Sequence, residues 1–228
     1  MPSYARKHQL QRSLVYHAFS RSNGRNSIFS ESEDFEHFKT LLQGYSMKFD
    51  SRIYNWVIMP NHYHLVIEFE YPDLISRFMA GLHRAYTHYH HKRYSTVGFL
   101  WQGRFKLQPI QKDLYLKSCG RYVERNPVRA KIVAEACEYA HSSARFYCLG
   151  EKDGITQPSP CFEDFGKDAV EHQGAYKEFL RTFDSEEDEY FSNMEIPCGD
   201  KEFVRRLIKT GEHYLPRRQG RKAAIFLT

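Results

Sequence analysis

Two histidines separated by a single residue, in Pro60-Asn61-His62-Tyr63-His64, carry the sharpest chemical signal in the sequence. Residues two apart on a strand point to the same face. Within a strand the two imidazoles therefore converge, and Val66 and Glu68 continue their face. Tyr63, Leu65, Ile67 and Phe69 form an unbroken apolar face on the other side, suited to packing helices, so the histidines look away from that core. Such a pair can ligate a metal ion or can be two polar surface residues, and the strand pattern leaves both readings open. Further along, Tyr122 and Asn126 stand four apart, which makes them neighbours on a helical face. If that helix crosses the sheet face carrying the histidines, a phenol and an amide oxygen reach the same point. A tyrosine beside a metal ion suits phosphodiester cleavage. The ion polarises a non-bridging oxygen and stabilises the leaving oxygen, while the phenoxide attacks phosphorus and conserves the bond energy. The competing readings are structural. Asn126 precedes Pro127, which disfavours a helical backbone there, so it can end one helix and cap the next, and Tyr122 can be a core tyrosine.

Basic and aromatic residues interleave from His83 to Tyr94, with Arg84 and Arg93 among them, and again from Trp101 to Lys106, with Arg104. Single-stranded nucleic acid needs both types, cations for phosphates and rings for unstacked bases. Arg21 opens the loop Arg21-Ser22-Asn23-Gly24-Arg25-Asn26. Near the end, Arg217, Arg218, Arg221 and Lys222 either grip phosphates or neutralise the acidic segment before them. The alternative for the earlier runs is that the rings are core and the charges solvated. His90 and His91 are adjacent, point apart on a helix, and do not suggest a second metal site.

The elements that must position these residues follow from periodicity. Alternation predicts a strand over residues 12 to 20, and Phe35, Phe38, Leu41 and Leu42 predict a helix from an N-cap at Ser30 to about Met47. Residues 51 to 59 and 62 to 69 read as two strands joined by a tight turn at Pro60-Asn61. Leu74, Ile75, Phe78, Met79, Leu82 and Tyr86 mark a long helix from about Pro72 to Tyr94. A strand over 104 to 110 and a helix over 112 to 125, broken by Pro127, complete the order βαββαβ plus a helix. That order predicts an α+β, ferredoxin-like fold: a four-stranded antiparallel sheet with two helices on one face and the added helix, bearing Tyr122, on the open face. Residues 1–149 are expected to form this domain, and residues 150–228 an acidic and then basic extension with short helices around 174–183 and 200–210.

Charge is segregated. Residues 1 to 150 hold 21 basic and 12 acidic side chains, residues 151 to 200 hold 4 and 14, and residues 201 to 228 hold 8 and 2. Basic segments flanking an acidic one suit a polyanionic partner. With 41% apolar and 27% charged residues the chain has a globular rather than a disordered composition. No apolar run approaches the roughly 18 residues that span a bilayer, and the first residues lack a signal-peptide stretch, so a cytoplasmic protein with no membrane partner is expected. Five cysteines, odd in number and scattered, are expected to be reduced, packed thiols.

These residues resemble a known family, the single-tyrosine HUH transposases, and within it those associated with repetitive extragenic palindromes (REP). The resemblance spans roughly residues 12 to 148. Its anchors are Tyr16-His17 with Ser20-Arg21 and Asn23-Gly24, then Met59-Pro60-Asn61-His62-Tyr63-His64-Leu65, then Trp101-Gln102-Gly103-Arg104-Phe105, and finally Arg121-Tyr122-Val123-Glu124-Arg125-Asn126-Pro127-Val128-Arg129-Ala130. The resemblance implies that His62 and His64 ligate Mg2+ or Mn2+, with Asn126 as third ligand where insertion-sequence relatives carry glutamine. It also implies that Tyr122 is the nucleophile that forms a 5′-phosphotyrosine, and that the substrate is single-stranded DNA beside a palindromic hairpin. Relatives act as monomers or as homodimers, and both states are compatible with the resemblance. Lys222 stands where relatives often have proline. The competing class is a domesticated, non-cleaving DNA or RNA hairpin binder built on the same sheet.

Overall fold

A computed structural model of the chain describes residues 10–210 except 13, 183, 193, 195 and 196, so Arg217, Arg218, Arg221 and Lys222 lie outside the described residues. The four alternating segments become strands β1 (Val15–Arg21), β2 (Ser51–Met59), β3 (His62–Phe69) and β4 (Lys106–Ile110). They pair antiparallel in the order β2-β3-β1-β4. With helices α1 (Ser32–Lys48) and α2 (Leu74–Tyr94) between them, the chain has the α+β, ferredoxin-like fold that its periodicity predicts. Met59 pairs with His62 across a two-residue turn, which fixes the β2–β3 register.

The two faces of the sheet separate by parity. Tyr16, Ala18, Tyr63, Leu65 and Ile67 pack under α1 and α2 with Phe38, Leu42, Phe78 and Leu82. Val15, Val57, Met59, Val66 and Ile110 pack on the opposite face against α3 (Leu114–Glu124), through Leu116, Cys119, Tyr122 and Val123. Each such aliphatic side chain contributes about 2 kcal/mol by burial, so the spacing of apolar residues along α3 turns Tyr122 toward the sheet. Gly120 permits the close approach: a Cβ there would sit 2.8 Å from the Asn55 side chain.

Several boundaries differ from the sequence reading. The N-cap of α1 is Glu31 rather than Ser30, because the Asp34 carboxylate accepts the backbone N–H groups of both Ser30 and Glu31, at 2.9 and 3.0 Å. β1 begins at Val15 and β4 at Lys106, each later than expected. α3 ends at Glu124, and Pro127 does not simply break it but sits in the first turn of α4 (Asn126–Arg129), where a missing N–H costs nothing.

After α5 (Ala144–Leu149), α6 (Ala169–Arg181) starts earlier than expected, since the Asp168 carboxylate accepts from Val170 and Glu171 N–H. α7 (Ser185–Ser192) was not expected at all: its acidic first turn reads as solvated loop but suits a helix N-terminus. α8 (Lys201–Thr210) lies where a short helix was expected, and its Phe203 and Leu207 join the α1–α2 core. All five cysteines are unpaired and four are buried. Among the described residues no helix is long and apolar enough to cross a membrane.

Candidate active site

The site grows from three rows of side chains that cross the α3 face of the sheet. Met59, His62 and Arg21 form one row, Val57, His64, Phe19 and Lys106 the next, and Asn55, Val66, His17 and Gln108 the third. His62 and His64 thus look outward from the main core, with ring centroids 5.3 Å apart. α3 lies across these rows and brings the Tyr122 ring to 5.8 Å from His64 and 5.7 Å from His17. Asn126, one turn on, closes the end of that helix. Its amide nitrogen donates to the Tyr122 and Val123 carbonyl oxygens at 3.0 and 3.1 Å. Asn126 thus closes the end of α3 as the structural reading has it, but it does not cap the next helix, whose N-cap is Arg125, and its amide oxygen is left for the site.

His62, His64, Tyr122 and Asn126 line one cavity of about 360 Å3, together with the cations Arg21, Lys106 and Arg129. Phe191 of α7 packs 5.4 Å from the Tyr122 ring and forms another wall. The described walls hold no carboxylate.

Hydrogen bonds fix the histidine that opens the strand. His62 Nδ1 lies 2.6 Å from Asn61 Oδ1, and Asn61 Nδ2 donates in turn to the Arg25 carbonyl oxygen at 3.0 Å, which orients the amide. An amide oxygen only accepts, so His62 carries its proton on Nδ1 and presents a lone pair on Nε2. His64 Nδ1 is likewise engaged, 2.8 Å from His17 Nε2.

Electrostatics keep these rings neutral. Burial, followed by the Arg21 cation, lowers the His62 pKa to about 4, while the Asn126 side chain partly opposes the shift. Burial alone accounts for most of the fall of His17 to about 4, with Gln108 opposing it. His64 falls well below its ordinary value, first by burial and then through His17, His62, Arg129 and Arg21. Burial raises the Tyr122 phenol, and a hydrogen bond from Arg129, whose guanidinium carbon sits 4.7 Å over the ring, works the other way.

The remaining cations named from sequence lie elsewhere. Arg84 and Arg93 are exposed on α2, across the sheet from the cavity, and Arg93 pairs with Glu33 at 3.5 Å and Asp34 at 3.4 Å. Arg104 is exposed before β4. Conversely, sequence reasoning gave no site role to His17, Phe19, Arg129 or Phe191, although His17 and Arg129 stand among the anchors of the family resemblance. Period-two alternation already sets His17 and Phe19 on one face, and Arg129 follows Tyr122 by two helical turns, so three of the four left a signal. Phe191 left none, because α7 itself was not expected.

The IS200-like transposase family matches residues 11–126, which run from just before β1 to Asn126. Among solved structures, a REP-associated tyrosine transposase bound to a REP hairpin aligns with a TM-score of 0.56 at 18% identity, over 70% of this chain and 96% of that one. A candidate transposase from Deinococcus radiodurans R1 aligns at 16% identity with a TM-score of 0.38, over 58% of this chain and 92% of that one. No curated protein matches the chain. The family match spans half of the sequence and includes both strand histidines, the helix tyrosine and the helix-ending asparagine, and the chain belongs to the IS200-like transposases, enzymes of DNA transposition.

Proposed function

We propose that this protein nicks and rejoins single-stranded DNA beside a DNA hairpin, as a metal-dependent endonuclease and strand transferase with Tyr122 as nucleophile. The observation that carries the reading is the meeting of His62, His64, Tyr122 and Asn126 in one cavity that also holds Arg21, Lys106 and Arg129. The hairpin enters by analogy with the solved transposase that is bound to one. Residues 1–149 would be the catalytic domain and residues 150–228 an extension whose basic end contacts DNA.

The donor set fits a divalent cation. Neutral imidazoles are the form that ligates, and His62 Nε2, His64 Nε2 and the Asn126 amide oxygen would hold Mg2+ or Mn2+. Two nitrogens and one neutral oxygen favour Mn2+ over Mg2+, and a set without carboxylates leaves positions for phosphate oxygens. When bound, the ion supplies positive charge to a non-bridging phosphate oxygen and to the departing 3′-oxygen.

The chain's own residues do the rest. Arg21 and Lys106 neutralise the phosphates on either side, and Arg129 stabilises the Tyr122 phenolate. The phenol proton passes to solvent, the phenolate attacks phosphorus, a P–O bond to Tyr122 forms, the bond to the 3′-oxygen breaks, and the 3′-oxygen takes a proton from solvent and leaves as a hydroxyl. The product on the enzyme is a 5′-phosphotyrosine. Attack by a 3′-hydroxyl on that ester reverses the step and returns the phenol.

The test is incubation with Mn2+ and a labelled single-stranded hairpin from beside the gene, read as a protein–DNA adduct on a denaturing gel. An adduct that vanishes in Tyr122→Phe is expected. Undiminished adduct in that variant would move the nucleophile to Tyr115. Tight hairpin binding with no adduct in either protein would instead make this a non-cleaving hairpin binder.

A further inference from the structure

We propose that His17 is a positioning residue for the metal centre: it holds His64 in the tautomer whose Nε2 faces the cavity. The inference rests on the metal reading above but concerns residues to which that reading gives no role.

The two rings lie on adjacent strands as diagonal neighbours, since His17 pairs with Val66 and His64 with Phe19. Their centroids are 5.0 Å apart, and His17 Nε2 comes within 2.8 Å of His64 Nδ1. His17 is wholly buried and His64 is 4% exposed, so water does not compete for this bond. One proton lies between the two nitrogens, and its owner decides what His64 offers the cavity. If His64 donates from Nδ1, its Nε2 lone pair is available to a metal ion. If His17 donates from Nε2, a neutral His64 carries its proton on Nε2 and cannot ligate there.

The metal reading needs the first arrangement. Asn61 already imposes the Nδ1–H tautomer on His62, the other histidine of the pair, through an acceptor that cannot donate. And a His17 that accepts at Nε2 must carry its own proton on Nδ1. Gln108 stands directly across the β1–β4 ladder from His17. Gln108 is 1% exposed, so an amide in this position has only protein to serve. In the first arrangement His17 thus fixes the tautomer that His64 presents to the cavity. Partners of this kind orient a ligand and raise its basicity, and their loss weakens metal affinity by about 10- to 100-fold.

The experiment uses the full-length protein. Mn2+ binding is titrated by the electron paramagnetic resonance of free Mn2+, in wild type, His62→Ala, His17→Phe and His17→Gln, while nitrogen-15 NMR of the metal-free wild type reads the His64 tautomer. Expected are an Nδ1–H His64, affinity weakened about 10- to 100-fold in His17→Phe, and recovery in His17→Gln, whose amide can again accept from His64. A folded His17→Phe with wild-type affinity would overturn the role of His17 while leaving the metal reading intact. Wild-type affinity in His62→Ala, or no Mn2+ binding by wild type, would overturn the metal reading and this role with it. Should His17→Phe fail to fold, the NMR still decides, because an Nε2–H His64 in the wild type contradicts the role proposed for His17.

Discussion

Two buried polar clusters lie under the same helix, and they are built in opposite ways. The Glu124 carboxylate, at the end of α3, is closed: it accepts from Asn55 at 2.9 Å, from Ser143 at 2.5 Å and from Tyr176 at 2.9 Å. These partners come from β2, from the residue before α5, and from α6, so a single side chain ties the helix to the sheet and to the extension. The histidine cluster, two residues away along the helix, is open. His62 Nδ1 bonds to Asn61 and His64 Nδ1 to His17, and the remaining nitrogens of His62 and His64 face a cavity beside Tyr122. A polar group that is buried and fully paired supports the fold, whereas one with part of its capacity held toward a cavity supports chemistry.

Alanine substitution should separate the two. His62→Ala is expected to lower DNA cleavage by roughly a thousandfold, the loss of several kcal/mol of charge stabilisation, while the melting temperature hardly moves. Glu124→Ala should do the reverse. It removes a buried acceptor shared by three donors and costs about 3 kcal/mol of stability, with residual cleavage wherever the protein remains folded. Nicking assays and urea titrations of the same preparations would check both. Comparable loss of stability in the two variants would end the distinction.

The difference between the clusters also explains what could be read from sequence. Both strand histidines are legible because their geometry is local: a spacing of two on β3 fixes their face, and Tyr63, Leu65 and Ile67 show which face is core. The same holds for Tyr122, whose side of α3 is marked by Leu116, Cys119 and Val123. His17 was visible in the alternation of β1 but had no assigned chemistry, since its meaning comes from a contact 47 residues away that only the strand register creates. Glu124 was hidden in the same way. Nothing near it in sequence announces that Asn55 and Tyr176 will surround it. α7 was missed for a different reason, because acidic composition reads as solvent exposure until Arg121 and Arg129 are found pairing with Glu187 and Asp188.

Stability against pH should expose the opposite characters of the clusters. Burial lowers His17 from 6.5 to about 4, so its contribution is full above 6.5 and is lost as pH falls through about 4. Burial raises Glu124 from 4.5 to about 7, so its contribution is full below 4.5 and is lost as pH rises through about 7. Each corresponds to about 3 kcal/mol at most. In metal-free buffer, Glu124→Gln should therefore gain on wild type by up to about 3 kcal/mol between pH 4.5 and 8. The difference between the variants is the quantity to follow, because the amide's altered hydrogen bonding is a constant offset. A difference that stays flat across this range would mean that the closed cluster does not titrate.

The smallest effect tests whether Arg129 belongs to the open cluster. Its guanidinium caps the Tyr122 ring, yet its Nε also pairs with Asp188 at 2.9 Å, so it is shared between the reacting phenol and α7. A phenolate is needed for attack, burial opposes it, and Arg129 lowers the Tyr122 pKa while Asp188 raises it. Arg129→Met should therefore push the alkaline rise of single-turnover cleavage to higher pH, slowing the reaction several-fold near neutrality, on the order of 1 kcal/mol. At high pH, where the phenol ionises unaided, the rates should converge. Asp188→Asn should move the same rise to lower pH. Two variants that shift one limb in opposite directions cannot both be acting through general damage to the fold. A rate ratio independent of pH would assign Arg129 to holding α7 in place and leave Tyr122 to other cations.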